Sequence, residues 1–173
     1  MASHPDPADF SAAEFRKALG RFPTGVTIIT AEDPETSQPV GLTISSFSSV
    51  SLNPPMVLWT LTHNALSLPI YRQLERYVIH VLSAGQAALA RRFAHGSQPD
   101  RFRGIPLKRT PSGTLRLAGE HCAAWFECFN VGQHEAGDHW IFIGQVEHCG
   151  HHRMPPLIYH AGDFDLTPSG APL

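Results

Sequence analysis

Short runs of apolar and β-branched residues recur along this chain, and most of them predict β-strands. Thr24–Ala31 is rich in β-branched residues and is followed by the turn signal Asp33-Pro34. Val40–Leu52 is a second extended segment, which Asn53-Pro54-Pro55 ends because proline cannot donate into a sheet ladder. Two further segments fit the same pattern, Met56–Leu61 and Tyr77–Leu82.

Helical signals are fewer. Ser11 and Glu14 form a capping-box pair that predicts a short helix over about residues 11–20 with one apolar face. Ser83 and Gln86 form a second such pair, which predicts a helix through about residue 94.

Two stretches between the strands carry turn and loop signals. Asn64 predicts the cap of a short helical turn that also includes Ser67. Residues 96–114 are rich in Gly, Pro, Ser and Arg, and they predict a long loop.

The last third of the chain predicts a hairpin. Cys122–Val131 and Trp140–Val146 flank Gln133–Asp138, a connection that contains a glycine. Both strands are apolar at nearly every position, so we expect both of their faces to be buried. The interior of a small barrel covers one face, and a helix or a second subunit must cover the other.

Many short strands with few short helices favour a mainly β fold, a closed barrel made of one domain. A chain of 173 residues is long enough for one stable core. We expect residues 1–10 to be a flexible tail, residues 11–166 to form the domain, and residues 167–173 to be a second tail.

Composition narrows the functional classes. The net charge of −2 gives no field that would attract nucleic acid or an anionic membrane. The longest apolar runs are far too short to span a membrane, and the N-terminus lacks the basic and apolar regions of a secretory signal. The three cysteines, Cys122, Cys128 and Cys149, have no paired spacing. We therefore expect a reduced, cytoplasmic protein.

The second extended segment holds six hydroxyl residues among its apolar ones. A buried hydroxyl needs a hydrogen-bond partner, so this composition has two interpretations. A polar ligand could lie along the strand and accept hydrogen bonds from hydroxyls and main-chain N–H groups. Alternatively, this is an edge strand with one solvated face.

Histidine is abundant, with eleven residues, and the densest group is His148-Cys149-Gly150-His151-His152. Zinc needs ligands that converge on one centre, whereas neighbours on a strand point apart. We therefore expect no metal site. No G-x-G-x-x-G motif is present, so a Rossmann-type dinucleotide site is not expected. His139, after Asp138, is either a proton relay or an ordinary strand residue.

Several segments follow one another in an order that matches a known family. In chain order they are Arg21–Thr27, Gly41–Pro55, Asn64–Ser67, Leu89–Ala94, Asp138–Gly144 and Pro156–Gly162. Together they resemble the flavin reductase family, the small component of two-component flavin monooxygenases, over roughly residues 12–164. The serine-rich segment that ends in Asn53-Pro54-Pro55 is the most specific element.

The resemblance implies a homodimeric split β-barrel of Greek-key type that binds FMN or FAD non-covalently and reduces it with NADH or NADPH. It also implies a partner monooxygenase that receives the reduced flavin. A flavoprotein that keeps its flavin and reduces another acceptor, and a non-enzymatic flavin carrier, are the alternatives.

The same resemblance implies roles for individual residues. The flavin site would comprise Thr43, Ser45, Ser46, Phe47, Ser48, Asn64, Ser67 and Phe93. Asn64 and Ser67 would donate to its phosphate or ribityl end, which Phe93 would close. His160 would lie where the nicotinamide approaches, as the catalytic residue. One departure is Asp163, since many relatives have a basic residue after the C-terminal glycine.

Overall fold

The computed structural model describes residues 8–118 and 121–165. The described residues form four α-helices, α1 Ala12–Leu19, α2 Leu68–Gln73, α3 Ala87–Ala94 and α4 Gln98–Phe102. The strands are β1 Thr24–Gly25, β2 Thr27–Glu32, β3 Pro39–Ile44, β4 Ser48–Leu52, β5 Pro55–Thr62, β6 Arg76–Val81, β7 Leu107–Arg109, β8 Leu115–Leu117, β9 Ala124–Ala136, β10 His139–His151, β11 Ile158–His160 and β12 Asp163–Asp165. No described helix is long and apolar enough to cross a membrane.

Seven of these strands form one antiparallel sheet in the order β3-β2-β6-β9-β10-β5-β4. The end strands β3 and β4 follow each other in the chain and are joined by Ser45–Phe47. The sheet curls because this short link holds its two ends together, and the result is a barrel. The prediction of a mainly β fold with a few short helices is confirmed.

Aromatic side chains fill the barrel. Trp59 stacks on Phe142 with ring centroids 4.5 Å apart, and the rings of Tyr71 and Tyr77 meet Trp59 edge-on. All four side chains are fully buried. The Tyr71 hydroxyl donates to the Ile29 carbonyl at 2.9 Å, which ties α2 to the barrel wall.

Outside the barrel, α3 and α4 pack against β3 at a glycine. A Cβ atom on Gly41 would lie 2.8 Å from ring atoms of both Phe93 and Phe102, too close for any other residue. Phe93 belongs to a second apolar cluster, with Ile28 and Leu82 among its members. This cluster fixes α3 on the outer face of β2 and β3.

Several predicted elements have different bounds in the structure. Val40–Leu52 is not one strand, because the chain leaves β2 after Ile44 and pairs with β5 from Ser48. Thr24–Ala31 breaks at Val26, since β1 pairs with β11 in a separate three-stranded sheet. Neither break has a Gly or Pro at its centre, so the local sequence carries no signal for it.

The connecting segments also differ from the predictions. The prediction of a long loop over residues 96–114 is wrong, because this stretch contains α4, β7 and the turn that leads from β7 to β8. Asn64 does not cap a helix; it lies in an exposed turn, and α2 begins after Ser67 instead. The β9–β10 hairpin is longer than predicted and turns at Gly137-Asp138, where Gly137 has a φ of 61°.

Apolar surface remains uncovered on the single chain. The amphipathic helix α1 forms with its predicted capping box, yet no residue in it is buried. Its residues Phe15 and Leu19 are 50% and 56% exposed, and Val131 on β9 is 43% exposed. One chain alone therefore leaves the outer faces of β9 and β10 partly exposed, and their predicted burial by a second subunit stays a prediction.

Candidate functional site

A cleft of about 510 Å³ lies beside β3, between the C-terminal end of α3, the start of α4 and the chain after β5. This volume falls within the range of small-molecule sites. Hydroxyl and apolar side chains alternate in its lining, which comprises Leu42, Thr43, Ile44, Ser45, Ser46, Thr60, Leu61, Thr62, Ala65, Leu66, Ser67, Phe93, Ala94, Gly96, Ser97, Gln98, Arg101 and His139.

The open edge of β3 faces this cleft. The Gly41 N–H donates to Gln98 Oε1 at 2.9 Å, and the Gly41 carbonyl accepts from Arg101 Nη1 at 2.6 Å. Both main-chain groups of Gly41 therefore point away from β2. Because hydrogen-bonding direction alternates along a strand, the main-chain groups of Thr43 also point away from β2. Since both main-chain groups of Gly41 are already bonded, the N–H and the carbonyl of Thr43 are the donor and the acceptor that this edge offers to a ligand.

The Ser46 side chain closes the barrel beside the cleft. Its hydroxyl accepts from the Thr60 N–H at 3.0 Å and donates to the Thr60 carbonyl at 3.1 Å. The hydroxyl proton is thus already used, and a hydrogen bond from Ser46 to a ligand would have to come from its main-chain N–H. Ser45, one residue earlier, is exposed and lines the cleft.

Thr43 connects the cleft to α3. Its hydroxyl donates to the Ala90 carbonyl at 2.7 Å, one turn before the end of the helix. Phe93 then lies fully buried against Phe102, with ring centroids 4.9 Å apart. These contacts fix the helix end, and with it Ala94 and Gly96, along one wall of the cleft.

Arg101 supplies a positive charge in the lining. Its Nε donates to the His95 carbonyl at 3.3 Å, in addition to the bond from Nη1 to Gly41, so the guanidinium is held at the cleft wall. Burial lowers the pKa of Arg101, but a guanidinium stays protonated at neutral pH. Sequence reasoning missed Arg101 and Gln98 because both fell in the predicted long loop.

His139 lines the cleft from the start of β10. Its Nδ1 lies 2.6 Å from Asp138 Oδ1, and this hydrogen bond lowers the pKa of the Asp138 carboxyl. The pair lies at the turn between β9 and β10, where Asp138 is exposed.

The structure brings together five of the residues predicted for the flavin site, Thr43, Ser45, Ser46, Ser67 and Phe93. Three others do not line the cleft. Phe47 points into the barrel, where its ring stacks on Phe126 at 5.7 Å. Ser48 lies on exposed β4, and Asn64 lies in an exposed turn.

His160 does not line the cleft either. It lies on β11, paired with Asp163 of β12 and next to the residue that pairs with Thr24 of β1. Arg91 on α3 connects the two regions, since its Nη2 lies 3.6 Å from Asp163 Oδ1 and its guanidinium lies 4.7 Å from the Phe164 ring centroid.

Within the part of the chain that the structure describes, no three His, Cys, Asp or Glu side chains converge as a metal site would require. The dense histidine group sits on the end of β10, where Cys149 is exposed.

Comparisons with known proteins identify the family. Residues 19–167 match the flavin reductase like domain. This chain belongs to the flavin reductase family. The FMN reductase (NADH) SmoA of Agrobacterium fabrum is 38% identical over 91% of this chain and 87% of its own length. HsaB of Rhodococcus jostii, the reductase subunit of a flavin-dependent monooxygenase, is 35% identical over 87% of this chain and 75% of its own length.

A solved structure shares the fold of this family member. The NADH:FAD oxidoreductase of Streptomyces globisporus, determined with NAD and FAD fragments, superposes with a TM-score of 0.84. It is 34% identical, and the match covers 99% of this chain and 100% of that one.

The lining residues suit a flavin. Its ring system presents nitrogen and oxygen atoms that hydrogen-bond with a strand edge, and its phosphate is an anion that a guanidinium binds well. The edge of β3 and Arg101 offer both kinds of group in one cleft.

The hydrogen bonds between Ser46 and Thr60 lead to a prediction about the stability of this flavin reductase family member. Ser46→Ala leaves the partly buried Thr60 N–H without its acceptor, so we expect the free energy of unfolding to fall by about 1–3 kcal/mol. Urea unfolding without added flavin measures this. The matched control is Ser45→Ala, an exposed position, with an expected change within about 0.5 kcal/mol. Equal stability of the two variants would contradict the proposed closure.

Proposed function

We propose that this protein is a flavin reductase, which transfers hydride from NADH or NADPH to FMN or FAD. The main support is the cleft, where the edge of β3 that has no strand partner lies next to the fixed guanidinium of Arg101. The chain's membership of the flavin reductase family is the second support. The reduced flavin would serve a partner monooxygenase, a role supported by relatives that are named as reductase subunits of such enzymes.

When bound, the flavin supplies the hydride chemistry, and the protein supplies binding and orientation. We propose that the main-chain groups of Thr43 and Ser45 hold the ring along β3. Arg101 and Ser67 would hold the phosphate. Their positions on packed elements keep one ring face aligned for the nicotinamide, since hydride transfer requires reacting atoms within about 3–3.5 Å.

The proposed activity is tested by following the oxidation of NADH and NADPH with a small, catalytic amount of the protein and an excess of free FMN or FAD. Sustained turnover is expected, because a flavin held only by hydrogen bonds and one cation exchanges with solution. A single round of bleaching of bound flavin would instead indicate a flavoprotein that reduces another acceptor. No oxidation of either nicotinamide would indicate a flavin carrier.

The proposed phosphate contact is tested with Arg101→Gln. Losing a charge-assisted hydrogen bond of about 1.5–3 kcal/mol should weaken FMN binding about 10–100-fold. Riboflavin has the same ring without the phosphate, so its Kd should stay within about twofold of the parent value. Flavin fluorescence titration measures both.

Arg103→Gln is the matched control, since Arg103 is exposed, pairs with Asp100 at 2.6 Å and does not line the cleft. If Arg101→Gln weakens riboflavin and FMN equally, the residue acts through β3 rather than through the phosphate.

We also propose that the protein is a homodimer. The support is apolar surface on the outer sheet face, where Val131 lies near the half-buried side chains of Leu58, Ile141 and Ile143. Charge is sparse here, as it is in the cores of stable interfaces. The uncovered apolar face of α1 adds to the surface that a second copy would cover.

Sedimentation at micromolar concentration should give twice the 19.0 kDa chain mass. Val131→Asp places a charge on the apolar patch and should shift the protein toward the monomer. Gln38→Asp, on the exposed β2–β3 connection, adds the same charge away from the patch and should leave the mass unchanged. A monomer mass for the parent chain would refute the dimer.

His160 is proposed to contact the nicotinamide. The support is the likeness of Pro156–Gly162 to the family segment that borders the open flavin face, together with the Arg91–Asp163 pair that ties this region to α3. His160→Ala should lower kcat/KM for NADH about tenfold by removing one contact, with flavin Kd and Tm unchanged. Stopped-flow reduction across an NADH titration measures it, with exposed His151→Ala as the control. If His160→Ala reduces the flavin at the same rate as the parent protein, His160 does not contact the nicotinamide and has only a structural role.

A cytoplasmic location fits this function, since Cys122, Cys128 and Cys149 are all unpaired thiols.

A further inference from the structure

Gln98, the first residue of α4, is half-buried and lines the cleft beside β3. Its amide oxygen Oε1 lies 2.9 Å from the Gly41 N–H. A main-chain N–H can only donate, so the amide atom that meets it must be the oxygen, and this fixes which way the amide is turned. The NH₂ group on the other side of the amide, with its two donors, is therefore left for another partner.

The NH₂ group of Gln98 is both unused and accessible. Among the described residues, the only hydrogen bond of this side chain is the one from Gly41 to Oε1. The amide nitrogen is not one of the buried polar atoms that lack a partner, so it is open to solvent. A ligand in the cleft can therefore reach it.

The helix α4 holds this side chain in place from both ends. The Ser97 hydroxyl caps the first turn, and Pro99 restricts the backbone directly after Gln98. At the other end, Phe102 is buried and its ring meets that of Phe93 edge-on. A donor that is fixed before the ligand arrives binds at a lower cost in entropy.

Arg101 presents a second free donor beside this amide. It lies three residues after Gln98 and donates through Nη1 to the carbonyl of the same residue, Gly41. The two main-chain groups of one strand residue point to the same side, so the two side-chain heads lie next to each other along the edge of β3. Among the described residues, Nη2 of Arg101 has no acceptor. A group that accepts from both heads needs several oxygen atoms and a negative charge, which describes a phosphate.

We propose that Gln98 binds the flavin phosphate, with its NH₂ group donating to a phosphate oxygen next to the one that Arg101 holds. The Gly41 N–H orients the amide, so that a donor and not an acceptor meets the anion. This assignment rests on the proposed flavin reductase function, because it requires a flavin in the cleft.

Gln98→Met tests the contact without a change of charge, since methionine has a similar length and no donor. The Kd of FMN should rise about 10–100-fold, because a hydrogen bond to a charged group is lost. Riboflavin has no phosphate, so its Kd should stay within about threefold of the parent value. Flavin fluorescence titration of the full chain measures both.

Gln98→Glu is the second variant, and it keeps an oxygen for the Gly41 N–H, so the melting temperature should not fall. A negative oxygen replaces the NH₂ group, and the Kd of FMN should rise at least about 100-fold. In about 1 M salt, which screens charges over about 3 Å, the increase should remain at least about tenfold, because salt does not restore the missing donor. Gln38→Glu adds the same charge on the exposed β2–β3 connection and should leave both Kd values unchanged.

Three results would overturn the assignment of Gln98. They are an unchanged Kd of FMN in Gln98→Met, an equal loss of FMN and riboflavin binding in the two variants, and a loss in Gln98→Glu that disappears in 1 M salt. Gln98 would then only support β3 through Gly41. Failure of the proposed function is distinguishable, because the parent chain itself would then bind neither FMN nor riboflavin.

Discussion

The candidate site depends on the hydrogen bonds between the Ser46 hydroxyl and the main chain of Thr60. These bonds hold the barrel closed and still leave the edge of β3 open. A fully closed barrel would pair β3 with its neighbour along its whole length and leave no edge for a ligand. One side chain instead takes the place of a strand partner at the end of β3. The barrel is held closed there, while the edge of β3 before it stays open to the cleft. Ser46 thus stabilises the barrel, and the residues that we propose for binding, Thr43 and Ser45, lie beside it in the same serine-rich segment.

The close packing at Gly41 has a matching role on the other side of the cleft. Because Phe93 and Phe102 approach this residue so closely, α3 and α4 lie directly on β3. Arg101 can then reach the Gly41 carbonyl with one nitrogen and still line the cleft. A larger residue at position 41 would push both helices outward and move the guanidinium with them. The position of the charge is therefore a consequence of core packing.

Much of this arrangement could be predicted from the sequence, and the errors have a common cause. The capping boxes at Ser11 and Ser83 and the strand at Met56–Leu61 were recovered because local signals fix them. The break of the serine-rich segment was not, since Ile44 and Ser48 have different partners only when the whole sheet is assembled. Arg101 was missed for the same reason, because only tertiary packing brings a residue of a Gly- and Pro-rich stretch to the strand. Ser46 was recognised as important, but its bond to Thr60 could not be read from composition.

Local placement of charge also explains how a chain with a net charge of −2 can hold an anionic ligand. Net charge describes the average field, whereas binding depends on the potential at the cleft, where a low-dielectric wall and a fixed cation focus the field. The carboxylates nearest in sequence to Arg101 are engaged elsewhere, since Asp100 pairs with Arg103 and accepts from Ser97. The guanidinium of Arg101 is bonded only to carbonyl oxygens among the described residues, which leaves its charge uncompensated. A cation that is anchored by neutral carbonyls keeps its attraction for a phosphate, and this anchoring, more than the number of basic residues, makes the cleft suitable for a flavin nucleotide.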